Sequence, residues 1–306
     1  MSTAISQFPL TGRIGRSRAL RRLLIDLEND PSLSRDDELA GRLTALDQLD
    51  AIMGDLDLEG FAAGGDLQIV ADARALRSKF EAANERLYDS ARYEIAFHSN
   101  PRAFHRWLLE STGDADVPNP RPGLGFDSRD EIVGGILQLR APKDIDLPQS
   151  TEMVAYQPTP ARHILELIAA VELSDEDLLV DLGSGLGHVP LLVSILTGKR
   201  TLGVELQPAL VASALEAAEN LNLSRVRFVA EDAREADLSD GTIFYLFSPF
   251  TGSILRDVLH RLHTQSAARP IRICSLGPCT RILQSLAWLK ASTYVDTERI
   301  TVFETP

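Results

Sequence analysis

The chain has 306 residues, 44% hydrophobic and 25% charged, which is an ordinary globular balance with room for two domains. Its formal net charge is -13, with 18 basic and 25 acidic side chains in residues 1–150 and 13 and 19 in residues 151–306. Acidity spread over both halves argues against broad binding to nucleic acid or anionic membrane, which draws on many basic contacts. No apolar run is long enough for a simple transmembrane span, and five arginines between Leu10 and Leu27 leave no apolar core for a signal peptide. The expected location is therefore the cytoplasm. Cys274 and Cys279 stand at no metal-ligand spacing and read as free thiols, and no metal is expected.

A short helix is predicted over Ser17 to Leu27. From Arg35 the periodicity turns helical, with Leu39, Leu43, Leu46 and Leu49 followed by Ile52, Met53 and Leu56, and with Ser34 or Asp36 as the cap. Gly60, Gly64 and Gly65 end that stretch. A second helix, Gln68 to Ala96, shows an apolar face of Ile69, Ala73, Leu76, Phe80, Ala83 and Leu87. A third, Pro101 to Glu110, opens on a first-turn proline. Val117 to Gly125 holds three prolines and two glycines and reads as a loop and domain boundary. A helix over Asp130 to Leu139 and a loop over Lys143 to Gln149 lead into the second half of the chain.

The pattern then changes. Short apolar runs at Leu178–Leu182, Leu202–Leu206, Val226–Val229, Ile243–Phe247 and Ile271–Cys274 read as buried parallel strands. Helical segments fit between them at His188–Leu196, Pro208–Leu221 and Gly252–Leu262, and two last strands are predicted at Ala291–Arg299 and Ile300–Phe303. Strand–helix alternation of this kind gives an α/β, doubly wound, mostly parallel sheet. An all-helical domain over 1–125 precedes it, with a connecting segment at 126–155 and the α/β domain at 156–306. The helical domain is expected to act as a substrate-selecting cap.

The strongest chemical signal is Val180-Asp181-Leu182-Gly183-Ser184-Gly185-Leu186-Gly187. A buried strand runs into alternating glycines and then a helix, which lets a ligand approach the backbone and the free N–H groups of the helix start. The spacing is GxGxG, where dinucleotide sites favour GxGxxG. Acidic residues follow in order. Asp181 precedes the glycines, Glu205 ends the second strand, and Asp232 follows the third with Ala233 beside it. All would lie at the carboxyl edge of the sheet, where such folds bind ligands. Glu205 suits a ribose in either cofactor class. Asp181 discriminates, because its carboxylate repels a pyrophosphate and attracts a ligand carrying an ammonium and a sulfonium.

In these residues the chain resembles the class I S-adenosylmethionine (SAM) dependent methyltransferase family, over roughly 154–306. The resemblance implies a seven-stranded sheet and SAM as cofactor. By that resemblance Gly183, Ser184, Gly185 and Gly187 hold the methionine moiety, and Asp181 lies near its amino group. Glu205 holds the ribose, Leu206 and Gln207 lie beside ribose and adenine, and Asp232 with Ala233 meets the adenine. Tyr156 and Thr159 lie over the methionine end, while Thr159 and Pro160 also read as cap and first residue of a helix.

On the acceptor side, Phe247 and Ser248-Pro249-Phe250 occupy the place of the Asp/Asn-Pro-Pro-Tyr/Phe loop of enzymes that methylate planar amino groups. They depart from it at the first residue and in having one proline. His188 is a candidate general base, and Tyr156 a candidate for closing the site. Arg92, Tyr93, Glu94 and His98 read as a solvated helix face. The expected reaction is methyl transfer to a small molecule or a protein side chain, with nucleic acid the least favoured partner. The competing readings are a noncatalytic SAM-fold protein that binds a partner through its helical half, and a nucleotide-linked oxidoreductase.

Overall fold

The computed structural model describes residues 13–35, 38–57, 67–98, 100–111, 125–142 and 150–306. The chain divides into two compact units, one of residues 1–89 with 109–115 and the other of residues 90–108 with 116–306. The expected loops at 117–124 and 143–149, the cap at Asp36 and the glycines at 60, 64 and 65 lie outside the described residues.

The first unit is helical. It holds α1 (Arg13–Glu28), a 3-10 turn at Pro31–Ser34, α2 (Leu39–Asp57) and most of α3 (Leu67–His98). Ser34 closes the 3-10 turn and does not cap α2, which starts five residues later. Leu20, Leu24, Leu49, Ile69, Ala73, Leu76 and Phe80 share its core. Beyond Phe80 the buried stripe passes through Asn84 and Tyr88, with Ala83 and Leu87 only half-buried. Over 32 residues a 3.6-residue turn drifts off any fixed spacing, which is why the face predicted from the first half slips by one residue. Asn84 accepts a 2.6 Å bond from the Nε of Arg42, itself 1% exposed, so the buried guanidinium is held by hydrogen bonds and not stranded.

The second unit takes in the end of α3, most of α4 (Pro101–Ser111), α5 (Ser128–Leu137), α6 (Ala161–Val171) and a sheet. The sheet holds seven strands: β1 (Leu178–Leu182), β2 (Arg200–Glu205), β3 (Val226–Ala230), β4 (Ile243–Leu246), β5 (Arg272–Ser275), β6 (Lys290–Ala291) and β7 (Thr301–Glu304). Their order is β3-β2-β1-β4-β5-β7-β6. The first five are parallel, and β7 runs antiparallel to both β5 and β6. The order reverses between β1 and β4, the switch point where open parallel sheets leave a crevice. Between strands lie α7 (His188–Thr197), α8 (Pro208–Asn220), α9 (Gly252–Ser266) and α10 (Cys279–Gln284). The five residues of β1 are all buried, as are eight consecutive residues of α7, Val189 to Leu196. Each fully buried Val, Leu or Ile there is worth about 1.5–3 kcal/mol, so this is the stable base on which the site sits.

Three expectations need correction. The strand predicted at Ala291–Arg299 ends after Ala291, because the Thr301 hydroxyl accepts from the Asp296 N–H and donates to the Asp296 carbonyl, folding the chain back. Helix α10 has no counterpart among the predicted elements, since six residues carry no readable period. Pro160 is not the first residue of α6. The helix begins at Ala161, and Thr159 does not cap it. The Ala161 N–H is instead taken by Asp130 Oδ1 at 2.7 Å. Asp130 also accepts from the Asp127 N–H through Oδ2, completing the capping box of α5.

Candidate active site

A cavity of about 770 Å3 opens over the carboxyl ends of β1 to β5. Its wall is built from the end of each strand and the loop after it: Asp181 with Gly183 and Ser184, Val204 to Gln207, Glu231 to Arg234, Phe247 to Thr251, and Pro278 with Cys279. A strap formed by Met153 to Thr159, ahead of α6, completes it. Among the expected site residues, Tyr156, Thr159, Asp181, Gly183, Ser184, His188, Glu205, Leu206, Asp232, Ala233, Ser248, Pro249 and Phe250 all reach this wall. Gly185 and Gly187 do not. Gly185 lies beneath the Tyr156 ring, and Gly187 is packed against Phe228. At Gly185, φ is +54°, and a Cβ would fall inside the van der Waals envelope of that ring, so only glycine fits.

The turn after β1 is held by Glu205, whose carboxylate accepts from the Gly185 N–H and from the Gln207 N–H, each at 2.9 Å. The side chain expected to meet a ribose thus also shapes the glycine turn, and each oxygen keeps a further lone pair for a ligand hydroxyl. Asp181 is 4% exposed. Burial, and then the nearby Glu205 charge, push its carboxyl well above the usual range. None of the described residues donates a hydrogen bond to it. Ser184 Oγ is likewise buried with no partner among the described residues. A polar group buried without a partner on a cavity wall is open to bond a ligand or water.

Tyr156 and His188 face each other, with the phenol oxygen 3.2 Å from Nδ1. Burial raises the phenol and lowers the imidazole to about 4, so both are neutral at pH 7. Thr159 Oγ1 lies 3.2 Å from the Tyr245 hydroxyl. Tyr245 pairs with Asp181 across β1 and β4, and the sequence reading missed it, although a tyrosine in the run Ile-Phe-Tyr-Leu was its signal. Asp232 lies half-buried and bound to Arg234, accepting from its N–H at 2.8 Å and from its guanidinium at 2.7 Å. The bond from the Arg234 side chain keeps the carboxylate ionised below the usual range.

On the other side, Ser248 stands at φ +45° and spends its hydroxyl internally. It donates to the Leu276 carbonyl at 3.1 Å and accepts from the Cys279 N–H at 3.0 Å. Phe250 is buried in the main core and shows the cavity only part of its ring. Pro249 packs on Gly183. Burial raises both cysteine thiols, Cys274 to about 12, so neither supplies a thiolate at neutral pH. Arg92, Tyr93, Glu94 and His98 line none of this cavity. Among the described residues no cluster of His, Cys, Asp and Glu is set to hold a metal, and no helix is long and apolar enough to cross a membrane.

These groups fit SAM. Asp181 and Ser184 would meet its charged methionine end, and Glu205 its ribose. When bound, SAM supplies a methyl group on a sulfonium that a nucleophile can displace directly.

Residues 148–243 match the family model described as histone methylation protein DOT1. No curated protein matches the chain. Among solved structures it is similar to an RNA methyltransferase from Salinibacter ruber in complex with S-adenosyl-L-homocysteine, with 27% identity, 49% of this chain and 92% of that one covered, and a TM-score of 0.41. A tRNA (uracil-54, C5)-methyltransferase from Pyrococcus abyssi gives 16%, 49% and 39%, and 0.37. A putative methyltransferase from Escherichia coli gives 14%, 52% and 91%, and 0.37. The span matched by the family model runs from the strap into β4 and takes in the glycine turn and the three carboxylates of β1, β2 and the loop after β3. The family-model match supports a SAM-dependent methyltransferase, and the seven-stranded sheet gives the α/β half the class I, Rossmann-like fold.

Proposed function

We propose that the methyl acceptor is an amine on a basic protein, and that Asp181, Ser184, Glu205 and the 183–187 turn hold the cofactor while Tyr156 and the 247–250 loop border the acceptor. The observation that carries this reading is the chemistry of the acceptor side. Met153, Val154, Phe247, Pro249, Phe250, Ile254 and Ile282 make it largely apolar, and the one hydroxyl in the loop, Ser248, is already bonded at both ends. A planar base would need a donor or acceptor here to read its edge. An aliphatic ammonium stem needs none, and burial in an apolar site lowers its pKa toward the neutral, nucleophilic form. A hydroxyl acceptor would need a base, and His188, held near 4 and bonded to Tyr156, is a weak one.

Charge supports the same acceptor class. A net charge of -13 steers basic partners toward the protein and repels polyanions. The family model that matches residues 148–243 is named for histone methylation, which is methylation of a basic protein. Positioning and water exclusion are then the chain's main contribution to rate.

The test is methyl transfer from labelled SAM to histones, to other basic proteins, to RNA and to small amines, with the modified residue mapped by mass spectrometry. Label on lysine side chains of basic proteins is the expected result. Label that nuclease digestion removes, or that appears only in small amines, would replace this acceptor with another while leaving the cofactor site standing.

A further inference from the structure

The strap that carries Tyr156 is fastened at both ends by carboxylates bound to helix N-termini. Asp130 takes the first N–H of α6 at its far end. At its near end, Glu152 reaches α9, about 100 residues away in sequence. The Glu152 carboxylate accepts from the Ser253 N–H at 3.0 Å, from the Ser253 hydroxyl at 2.6 Å and from the Ile254 N–H at 3.2 Å. These bonds hold its pKa below the usual carboxylate range. Thr251, the residue in the capping position of α9, makes no side-chain cap of its own.

A second observation bears on the same contact. Gly252 has φ +57°, and a Cβ there would collide with the Glu152 carboxylate. The start of α9 is thus shaped to admit that side chain. Around it the strap pairs with the acceptor loop through only a short ladder: Thr251 N–H to the Glu152 carbonyl at 2.7 Å, Val154 N–H to the Pro249 carbonyl at 3.0 Å, and one bridge between Met153 and Phe250. Neither Glu152 nor Gly252 is on the cavity wall.

We infer that Glu152 is a positioning residue: by latching the strap to the first turn of α9 it keeps Tyr156 over the glycine turn and so retains the cofactor. The inference rests on the cofactor site described above. Four positions along the chain separate Glu152 from Tyr156, whose ring covers Gly185 and whose hydroxyl meets His188. Without the latch, the strap's near end keeps the short backbone ladder, the Thr251 hydroxyl bond to the Glu152 carbonyl and the packing of Met153 on the core. Charge-assisted bonds of this kind are the stronger ones, and losing several loosens a surface segment that has little else to hold it.

The experiment compares native protein with Glu152→Ala, Gly252→Ala and the double variant Glu152→Ala/Thr251→Asp. Each is first shown to be folded by circular dichroism. Two quantities are read: amide exchange at Val154 and Thr251 in cofactor-free protein, and the dissociation rate of S-adenosyl-L-homocysteine. Both single variants should speed dissociation about tenfold, which corresponds to about 1.4 kcal/mol, and speed exchange in the strap alongside. Thr251→Asp gives α9 a local cap, and because Thr251 lines the cavity the single Thr251→Asp variant is measured as well, to read its own effect on dissociation. The double variant should recover the melting temperature lost by Glu152→Ala and leave dissociation fast. The inference is overturned if dissociation stays within about twofold of native in either Glu152→Ala or Gly252→Ala. It is also overturned if the double variant restores the slow rate, since Glu152 would then serve only as a helix cap. If Glu152→Ala does not fold, Gly252→Ala and the double variant decide. Native protein that fails to bind the homocysteine compound at all would instead strike at the cofactor site.

Discussion

The two sides of the cavity use their polar groups in opposite ways. On the cofactor side, the Asp181 carboxyl is buried, the Ser184 hydroxyl is buried with no partner among the described residues, and Glu205 keeps lone pairs beyond the two backbone bonds it accepts. On the acceptor side, Ser248 is bonded inward to the protein, and the surface facing the cavity is mostly hydrocarbon. One side leaves polar groups open to a ligand. The other has its loop hydroxyl already bonded within the protein. This contrast explains why the cofactor is readable from residue types while the acceptor is not.

The contrast can be broken or sharpened by substitution. The largest effect should come from Gly185→Ala, which forces a side chain into a left-handed turn and into the Tyr156 ring. SAM affinity by calorimetry should fall by about 100-fold, or about 3 kcal/mol. Gly134→Ala, at an open helical position in α5, is the control and should be neutral or stabilising by about 0.5–1 kcal/mol.

Asp181→Asn should separate binding from stability. A carboxyl whose folded pKa is raised adds stability below its unfolded pKa and loses it as pH rises past that value. At neutral pH the variant should therefore unfold at higher denaturant than native protein, while SAM binding weakens by roughly 10–100-fold. Parallel losses of both would make Asp181 an ordinary core residue.

His188→Asn probes the seam between the two sides. With a folded pKa of about 4 against about 6.5 in the unfolded chain, the unfolded state binds the extra proton between those values. Native stability should drop by about 2 kcal/mol more than that of the variant between pH 7 and pH 5, read from urea midpoints at each pH. Equal slopes would mean that the imidazole is hydrated. The smallest effect on binding is expected from Ser248→Ala. Removing a hydroxyl bonded at both ends should cost about 1–2 kcal/mol of stability and leave SAM affinity within about twofold.

Much of the α/β half is legible in the sequence because its signals are local. Five apolar runs match five parallel strands to within a residue or two at each end, and the glycine turn with its following acids points to the carboxyl edge of the sheet. The failures share a cause: their determinants lie far away in sequence or in side-chain bonds to backbone. Thr-Tyr-Val after Ser292 has strand propensity, yet the Thr301 hydroxyl turns the chain before it can extend. Thr159 has the chemistry of a cap, but a carboxylate 31 residues upstream of Ala161 takes that role and leaves Thr159 to meet Tyr245. Glu152 stands in no motif at all. Its carboxylate's partners begin 101 residues later, and only the conformation of Gly252 betrays them.

The double duty of Asp130 also bears on modularity. A fragment cut at residue 150 would keep every strand and every wall of the cavity. It would nonetheless orphan the Ala161 N–H at the root of the strap, and the Asn222 side chain would lose the Ala96 carbonyl it now binds. The catalytic half is therefore not a detachable cassette. Its hydrogen bonding closes only with helices that precede it in the chain, so a change in those helices can reach the methyl-transfer site without altering any residue that touches a ligand.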